Sequence, residues 1–358
     1  MVRESGTEKK DLQWVGVDVA KQTFQAALAR PGQRFGLTKL GELPTESFPR
    51  TREGVERFVD WLALLLPAKR EALNTRVVME TTGKYSIELA ALMDAVGCGL
   101  RPAIVHARQT NAFIKSMNVR GKTDALEARA LAFYGIERSP VAYEPLTEEQ
   151  STLRELVRHR RTLVEQKCNA DNRGGEGSTS DYVRKARVRE HNFLNKEIAR
   201  VDKEIRECIA KSEALKKDYA LLTTIHGVAF VTASVILAEL GDLRRFERAR
   251  QLSAFVGLSP REVQSGTSVF KKAHMCKQGN ASVRQALYLA ALTAVRDGGY
   301  LQENYRRACA QGKPKMVALG MIMRKLIVLM RTMLINNQEY DRNRRPNVQQ
   351  NDIQEARA

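Results

Sequence analysis

Two stretches of this chain constrain its fold more than anything else in it. From Thr147 to about Ala170, and again from Tyr182 to Lys217, charged residues mix with apolar ones at a spacing of three and four, as in LRELVRHRRTLVEQ and LNKEIARVDKEIRECIAKSEALKK. That spacing puts a narrow apolar stripe on each helix, and few apolar residues are left to bury a second face. Between the two stretches, DNRGGEGSTSD is rich in Gly, Ser and Asp and reads as a turn or a flexible tip. The expected structure is a long antiparallel coiled-coil arm over residues 146–217; the alternative is a pair of ordinary helices inside a globular domain.

Ahead of the arm the periodicity changes. WVGVDVAKQTFQAALAR, from Trp14 to Arg30, alternates apolar and polar residues, and FGLTKLGEL follows as a second extended candidate. Gly54 to Leu65 has helical spacing, RVVME at 76–80 is a short buried strand, Ser86 to Val96 is helical again, and GLRPAIV is strand-like. Strands alternating with helices predict an α/β layer. KTDALEARALAFY, Lys122 to Tyr134, reads as a helix capped by Thr123, and the Ser139-Pro140 and Glu144-Pro145 pairs end it. The first domain is therefore placed at 12–145.

Behind the arm, LLTTIHGVAFVTASVILAELGDLRRFERARQLSAFVGLSP reads as helix, glycine turn, helix and a second turn. A helical domain over 218–337 follows, and the polar tail from Gln338, residues 338–358, is expected to be disordered. The fold class is α/β plus all-α. There is no internal repeat.

Lys and Arg number 59 against 41 Asp and Glu, a net charge of +18, so a phosphate polymer is the first partner to consider. The five cysteines are dispersed with no C-x-x-C, which suits a reducing cytoplasm and no disulfide framework. Nothing resembles a signal peptide, and the greasiest stretch, Val317 to Ile335, is interrupted by Arg324, Lys325 and Arg331, so no membrane partner is expected.

The residues that carry chemistry are acids. Asp18 sits among valines in GVDVAK, where an unpaired carboxylate is costly and usually meets a cation, and Glu80 repeats the pattern at the end of VVME. Asp124 and Glu127 lie three apart on one helix and share a face. Taken singly, a strand Asp is more often structural and an acidic pair at this spacing is more often a solvated face. Together, four carboxylates could hold two hard divalent cations, Mg²⁺ or Mn²⁺, which stabilise the attacking and leaving oxygens of phosphodiester transfer.

In that order, with GVDVAK, METTG and KTDALEA around them, the acids resemble the RuvC-like, ribonuclease-H-like domain of bacterial DEDD transposases. The pattern is similar to the insertion-sequence transposase family that includes the Piv/MooV DNA invertases, and the resemblance covers about residues 12–335. GLSPREVQSGTS (257–268) and KQGNASVRQALYLAAL (277–292) resemble that family's C-terminal transposase domain. The resemblance implies that Ser265 is a nucleophile forming a phosphoserine link to DNA, and that a structured bridge RNA guides recombination between donor and target DNA. It also implies homo-oligomers, dimer to tetramer, in which domains of different protomers complete each active site, and a bacterial cytoplasm, nucleoid-associated. The chain departs from the family at the fourth acid, where Asp is usual and Glu127 stands.

Taken alone, a Ser-Gly pair is an ordinary turn. Arg120 and Lys122 near the acids, and Lys271, Lys272, Lys277 and Arg284 near Ser265, are the candidate nucleic-acid contacts, against the plainer reading of a solvated basic face. Gly279-Asn280 should cap the helix carrying Arg284. IHGVAFVTASVILAELG resembles a helix-hairpin-helix, but His226 replaces the usual Pro and Ala229 a second Gly, so it is read mainly as packing. His106, His159, His191 and His274 have no metal-ligand spacing. Three rivals stay open: a RuvC-like nuclease without a covalent intermediate, a sugar-kinase or actin-like ATPase, and a non-catalytic nucleic-acid-binding scaffold.

Overall fold

The alternating segment near the N-terminus folds as a hairpin in which β1 (Gln13–Val19) and β2 (Thr23–Ala29) pair antiparallel, with Val15 opposite Leu28 and Asp18 opposite Gln25. This is seen in a computed structural model of the chain, which describes residues 12–33, 40–66, 74–100, 102–118, 121–175, 180–265 and 269–342. The chain divides into two units, Met1–Pro145 and Leu146–Ala358.

In the first unit β3 (Thr45–Pro49) lies antiparallel on β2, while β4 (Thr75–Glu80) runs parallel to β1 and β5 (Pro102–Val105) parallel to β4. The sheet order is β3-β2-β1-β4-β5, so β1 is central. Side chains alternate between the two faces, and each face has its own core. Val15, Val17, Phe24, Leu28, Val77 and Met79 pack with Phe58 of α1 (Arg52–Leu65) and with Leu89 and Met93 of α2 (Lys84–Val96). Trp14, Ala29, Val78 and Val105 pack on the opposite face with Phe113 of α3 (Ala107–Ser116) and Leu131 of α4 (Asp124–Arg138).

One local expectation needs correction, and one helix had no expectation at all. In FGLTKLGEL, residues 35–39 lie outside the described residues and Leu40–Glu42 is a 3-10 turn; the third strand lies further on, at Thr45–Pro49. Its single buried side chain is Phe48, too little for a period-two signal, and Pro49 is tolerated because β3 is an edge strand. Helix α3 went unpredicted because only Thr110 and Phe113 of it are buried.

In the second unit, α5 (Glu148–Gly175) and α6 (Asp181–Lys211) run antiparallel. Cys208 Sγ reaches the Glu149 carbonyl near one end, Arg160 pairs with Asp202 at 2.5 Å further along, and Asp171–His191 and Arg173–Glu190 follow toward the other. Helix persists into DNRGGEGSTSD as far as Gly175, and residues 176–179 lie outside the described residues. The stretch from Tyr182 to Lys217 is not one helix. It breaks at Ser212, whose hydroxyl accepts from the Leu215 N–H and starts α7 (Glu213–Thr223).

There follow α8 (Phe230–Leu240), α9 (Ala249–Val256), β6 (Pro260–Ser265), β7 (Val269–Met275), α10 (Ala281–Ala294), α11 (Gly299–Ala310) and α12 (Lys315–Asn336). The expectation of an all-α C-terminal domain is corrected by β6 and β7, an antiparallel pair with a register irregularity between Arg261 and Val263. Leu153 and Ile205 of the two long helices share one core with Leu237, Leu287 and Leu326, so residues 146–217 and 218–337 belong to a single unit rather than to two. In the glycine turn, a methyl on Gly227 would stand 2.6 Å from the Ala290 carbonyl, so this turn is packed against α10. The beginning of the tail is also in place: the Tyr340 N–H donates to Thr224 Oγ1 at 3.0 Å, whereas residues 343–358 lie outside the described ones. Among the described residues, no helix is long and apolar enough to cross a membrane.

Candidate functional site

The sheet brings two of the four acids together by register. The last β1–β4 partners are Val17 and Met79, so Asp18 and Glu80, each one residue further on, stand side by side at the carboxyl ends of adjacent parallel strands. By the alternation of the pleat both belong to the face of Trp14 and Val78, which α4 covers. Gly16 makes that cover close: a methyl there would lie 2.1 Å from the Ala128 carbonyl oxygen and 2.2 Å from the Ala132 nitrogen. Thr123 starts α4 by accepting the Leu126 N–H at 3.3 Å, which places Asp124 and Glu127 in its first turn. Acids there suit the positive end of the helix dipole.

Burial pushes the Asp18 carboxyl up from 3.8 to about 6, and the neighbouring carboxylates of Glu127, Asp124 and Glu80, in that order, push it the same way. Two of those neighbours have partners of their own. Glu80 Oε2 accepts from the hydroxyl of buried Thr110 on α3. Glu127 Oε1 stands 3.2 Å from Lys122 Nζ, and this hydrogen bond holds the Lys122 ammonium above its ordinary value. With Glu80 and Glu127 so engaged, no three acid, His or Cys side chains among the described residues close into a ready metal cage. The all-oxygen donor set and the crowding of like charge on Asp18 nevertheless fit a hard divalent cation, which the four carboxylates would hold.

Of the basic candidates here, Arg120 lies outside the described residues, and Lys122 faces Glu127 instead of standing free.

The second group belongs to the second unit. Ser265 ends β6, its backbone opposite Val269, and Lys271 and Lys272 follow on β7; the side chains of all three lie outside the described residues, as do residues 266–268. Lys277 is exposed, adopts φ 54°, and its N–H donates to the Gly257 carbonyl at 3.1 Å. Asn280 caps α10 by accepting the Val283 N–H at 3.1 Å, and Arg284 donates to the Val256 carbonyl at 3.0 Å. Arg284 thus ties the end of α9 to α10.

Sequence reasoning passed over Thr110, and also Glu239 and Arg158, which form a bidentate pair at 2.8 and 2.9 Å. Neither contact has a local signature. Thr110 is 30 residues from Glu80, and Arg158 is 81 from Glu239.

Residues 15–174, which contain all four acids, match the IS110 DEDD family described as Transposase, and residues 219–306, which contain Ser265, match the family described as Transposase IS116/IS110/IS902. The chain belongs to the IS110/IS116 transposase family. It is a transposase of an insertion sequence, an enzyme that recombines DNA through a DEDD-type domain. The transposase is 27% identical over 338 residues to the pilin gene-inverting protein of Moraxella bovis, covering 92% of this chain and 98% of that one. It is also 27% identical over 336 residues to the protein of the same name from Moraxella lacunata, with 92% and 98% covered. The transposase for insertion sequence element IS1111A of Coxiella burnetii is 26% identical over 315 residues, covering 80% and 79%.

Proposed function

We propose that the transposase breaks and rejoins DNA through a phosphoserine link on Ser265, with Asp18, Glu80, Asp124 and Glu127 holding Mg²⁺ or Mn²⁺ in a RuvC-like domain. One observation carries the metal half of this reading: three carboxylates of the same sign crowd a half-buried fourth, Asp18, and burial and charge together push its carboxyl to about 6. Such crowding is unfavourable in the metal-free chain and is relieved by a cation. When bound, the metal supplies Lewis-acid stabilisation of the charge that develops on phosphate oxygens.

In the cleavage step, Ser265 Oγ attacks phosphorus, the P–Oγ bond forms, and the P–O bond to one deoxyribose breaks; that sugar hydroxyl leaves with a proton. Attack by a deoxyribose hydroxyl of the other strand reverses the step and frees serine, so no diester energy is lost. Ser265 lies within the matched 219–306 region and is the last residue of β6. The arm formed by α5 and α6 serves self-association, dimer to tetramer. A structured non-coding RNA as guide follows from the family resemblance, and the net charge of +18 supports a polyanionic partner beside donor and target DNA.

The test uses the purified full-length protein with Mg²⁺, duplexes carrying the ends of the parent element, and the transcript of the non-coding segment flanking its gene. Wild type should give a protein–DNA adduct resistant to denaturation, absent from Ser265→Ala and from Asp18→Asn. Cleavage without any adduct, retained in Ser265→Ala, would instead establish hydrolysis by a nuclease.

A further inference from the structure

Glu239 is the most deeply buried acid of the second unit's described residues, its side chain 3% exposed; its chain neighbours Ala238 and Leu240 belong to the core shared by the long helices and the C-terminal segment, and Glu239 lines a cavity with Arg158 and Asn280. Both carboxylate oxygens are used. Oε1 accepts from Arg158 Nε at 2.8 Å; Oε2 accepts from the same guanidinium at 2.9 Å and from Asn280 Nδ2 at 2.8 Å. Burial alone would raise this carboxyl, but the bonds and charge of Arg158 and the Asn280 amide outweigh it and hold Glu239 below its ordinary value. One turn earlier on α5, Arg154 Nε donates to the Ala238 carbonyl at 2.8 Å, so two arginines of one long helix grip the end of α8.

Stability does not explain the choice of these residues. Glu239 is buried but the Arg158 side chain is 61% exposed, so solvent screens the pair and its net contribution to stability is small; the best-attested use of such a pair is to fix position. What it fixes here is legible from its third member. Asn280 joins Glu239 to the N-terminus of α10 with its amide nitrogen on one and its carbonyl oxygen on the other. The preceding residue, Gly279, is pressed under α9, where a methyl would lie 2.3 Å from the Phe255 carbonyl oxygen. Next, the Lys277 N–H holds the Gly257 carbonyl and the Cys276 N–H holds the Ser259 carbonyl, at 3.1 and 2.9 Å, which is where the β6–β7 ladder starts. Hydrogen bonds from Arg158 on the arm through Glu239 to Asn280, and then the chain from 279 to 276, therefore lead to the base of the β6–β7 pair, whose first strand ends at Ser265.

We propose that Arg158, Glu239 and Asn280 form a joint that sets the hairpin bearing Ser265 against the arm, making all three positioning residues for strand cleavage. The inference rests on Ser265 as the nucleophile. A change in the arm's placement, such as assembly with other copies would impose, reaches the serine through this joint.

The decisive variant is Asn280→Ser in the full-length protein. Serine still caps a helix, so a merely structural cap is preserved, but it cannot reach Glu239 with an amide. Expected are a Tm within about 3 °C of wild type, amide exchange of the β6–β7 backbone about tenfold faster, and about tenfold less adduct at unchanged affinity for the element-end duplex. A companion pair, Glu239→Met with Arg158→Leu, should keep the fold and show the same faster exchange. Unchanged exchange in Asn280→Ser would overturn the joint; faster exchange with full adduct yield would overturn its role in positioning. Should wild type form no adduct, the nucleophile assignment fails by itself, and the exchange measurement, made without DNA, still decides whether the joint exists.

Discussion

Gly16 lies directly beneath Ala128, so close that a methyl on it would stand 2.1 Å from the Ala128 carbonyl oxygen. This contact seats α4 on the central strand and brings Asp124 and Glu127 to Asp18. Gly16→Ala must push the helix off the strand, because the obstacle is backbone and cannot rotate away. Overpacking of this kind costs about 1–3 kcal/mol or more. We expect thermal unfolding of the first unit to fall by several degrees and metal-dependent cleavage to be lost with it; an unshifted melting curve would show that α4 is not tightly seated.

The pH response of the metal-free protein follows from Asp18. Its carboxyl is raised in the folded state to about 6 from an ordinary 3.8, so the fold favours the protonated form. That contribution is complete below about pH 4 and is lost as pH rises through about 6. Measured in chelator, wild type should therefore lose stability relative to Asp18→Asn over this window and melt below the variant at pH 7.5. Saturating Mg²⁺ should reverse the order at neutral pH, since the full set of four carboxylates binds it more tightly than the three left in the variant. Parallel pH profiles for the two proteins would refute the charge crowding.

Thr110 offers a test of metal geometry through a residue that touches no substrate. Its hydroxyl fixes Glu80, and such outer partners are worth roughly 10–100-fold in metal affinity. Thr110→Val keeps the shape and removes the donor, so Mn²⁺ titrations followed by electron paramagnetic resonance should show weakening in that range. Thr110→Ser should restore wild-type affinity. Equal binding by the Val variant would mean that Glu80 needs no support.

Glu127 carries one methylene more than the family's usual aspartate, and in the metal-free chain it spends that reach on Lys122 at 3.2 Å. Glu127→Asp should keep cleavage within a few-fold, whereas Glu127→Gln should lower it on the order of a hundredfold if the carboxylate is a ligand. Similar rates in both variants would remove Glu127 from the metal set.

What the sequence made legible is what local patterning controls. Alternation marked β1 and placed Asp18 near its end, a valine run marked β4 and Glu80, and Thr123 announced the helix of Asp124 and Glu127. Less visible were elements held by few buried residues: β3 through Phe48 alone, and α3 through Thr110 and Phe113. The β6–β7 pair was hidden because PREVQS and VFKKAHM are too polar to stand out as strands. Ser212 was read through because periodicity on either side of it continues while the chain turns. Contacts such as Thr110–Glu80 and Arg158–Glu239 join residues far apart in the chain, and no window along the sequence contains both partners.

Because β1 is bonded on both flanks, by β2 and by β4, its backbone is the best protected part of the sheet, while Asp18 stands just past its last bonded partner on the β4 side. If Asp18 holds the metal as proposed, folding and cutting are separable in heredity. On that role, a decayed copy of the element that has lost only this carboxylate would still encode a sound protein, one that would meet the same DNA as its active siblings and occupy it without cutting. In a genome carrying several copies, the silent ones would act as brakes on the rest.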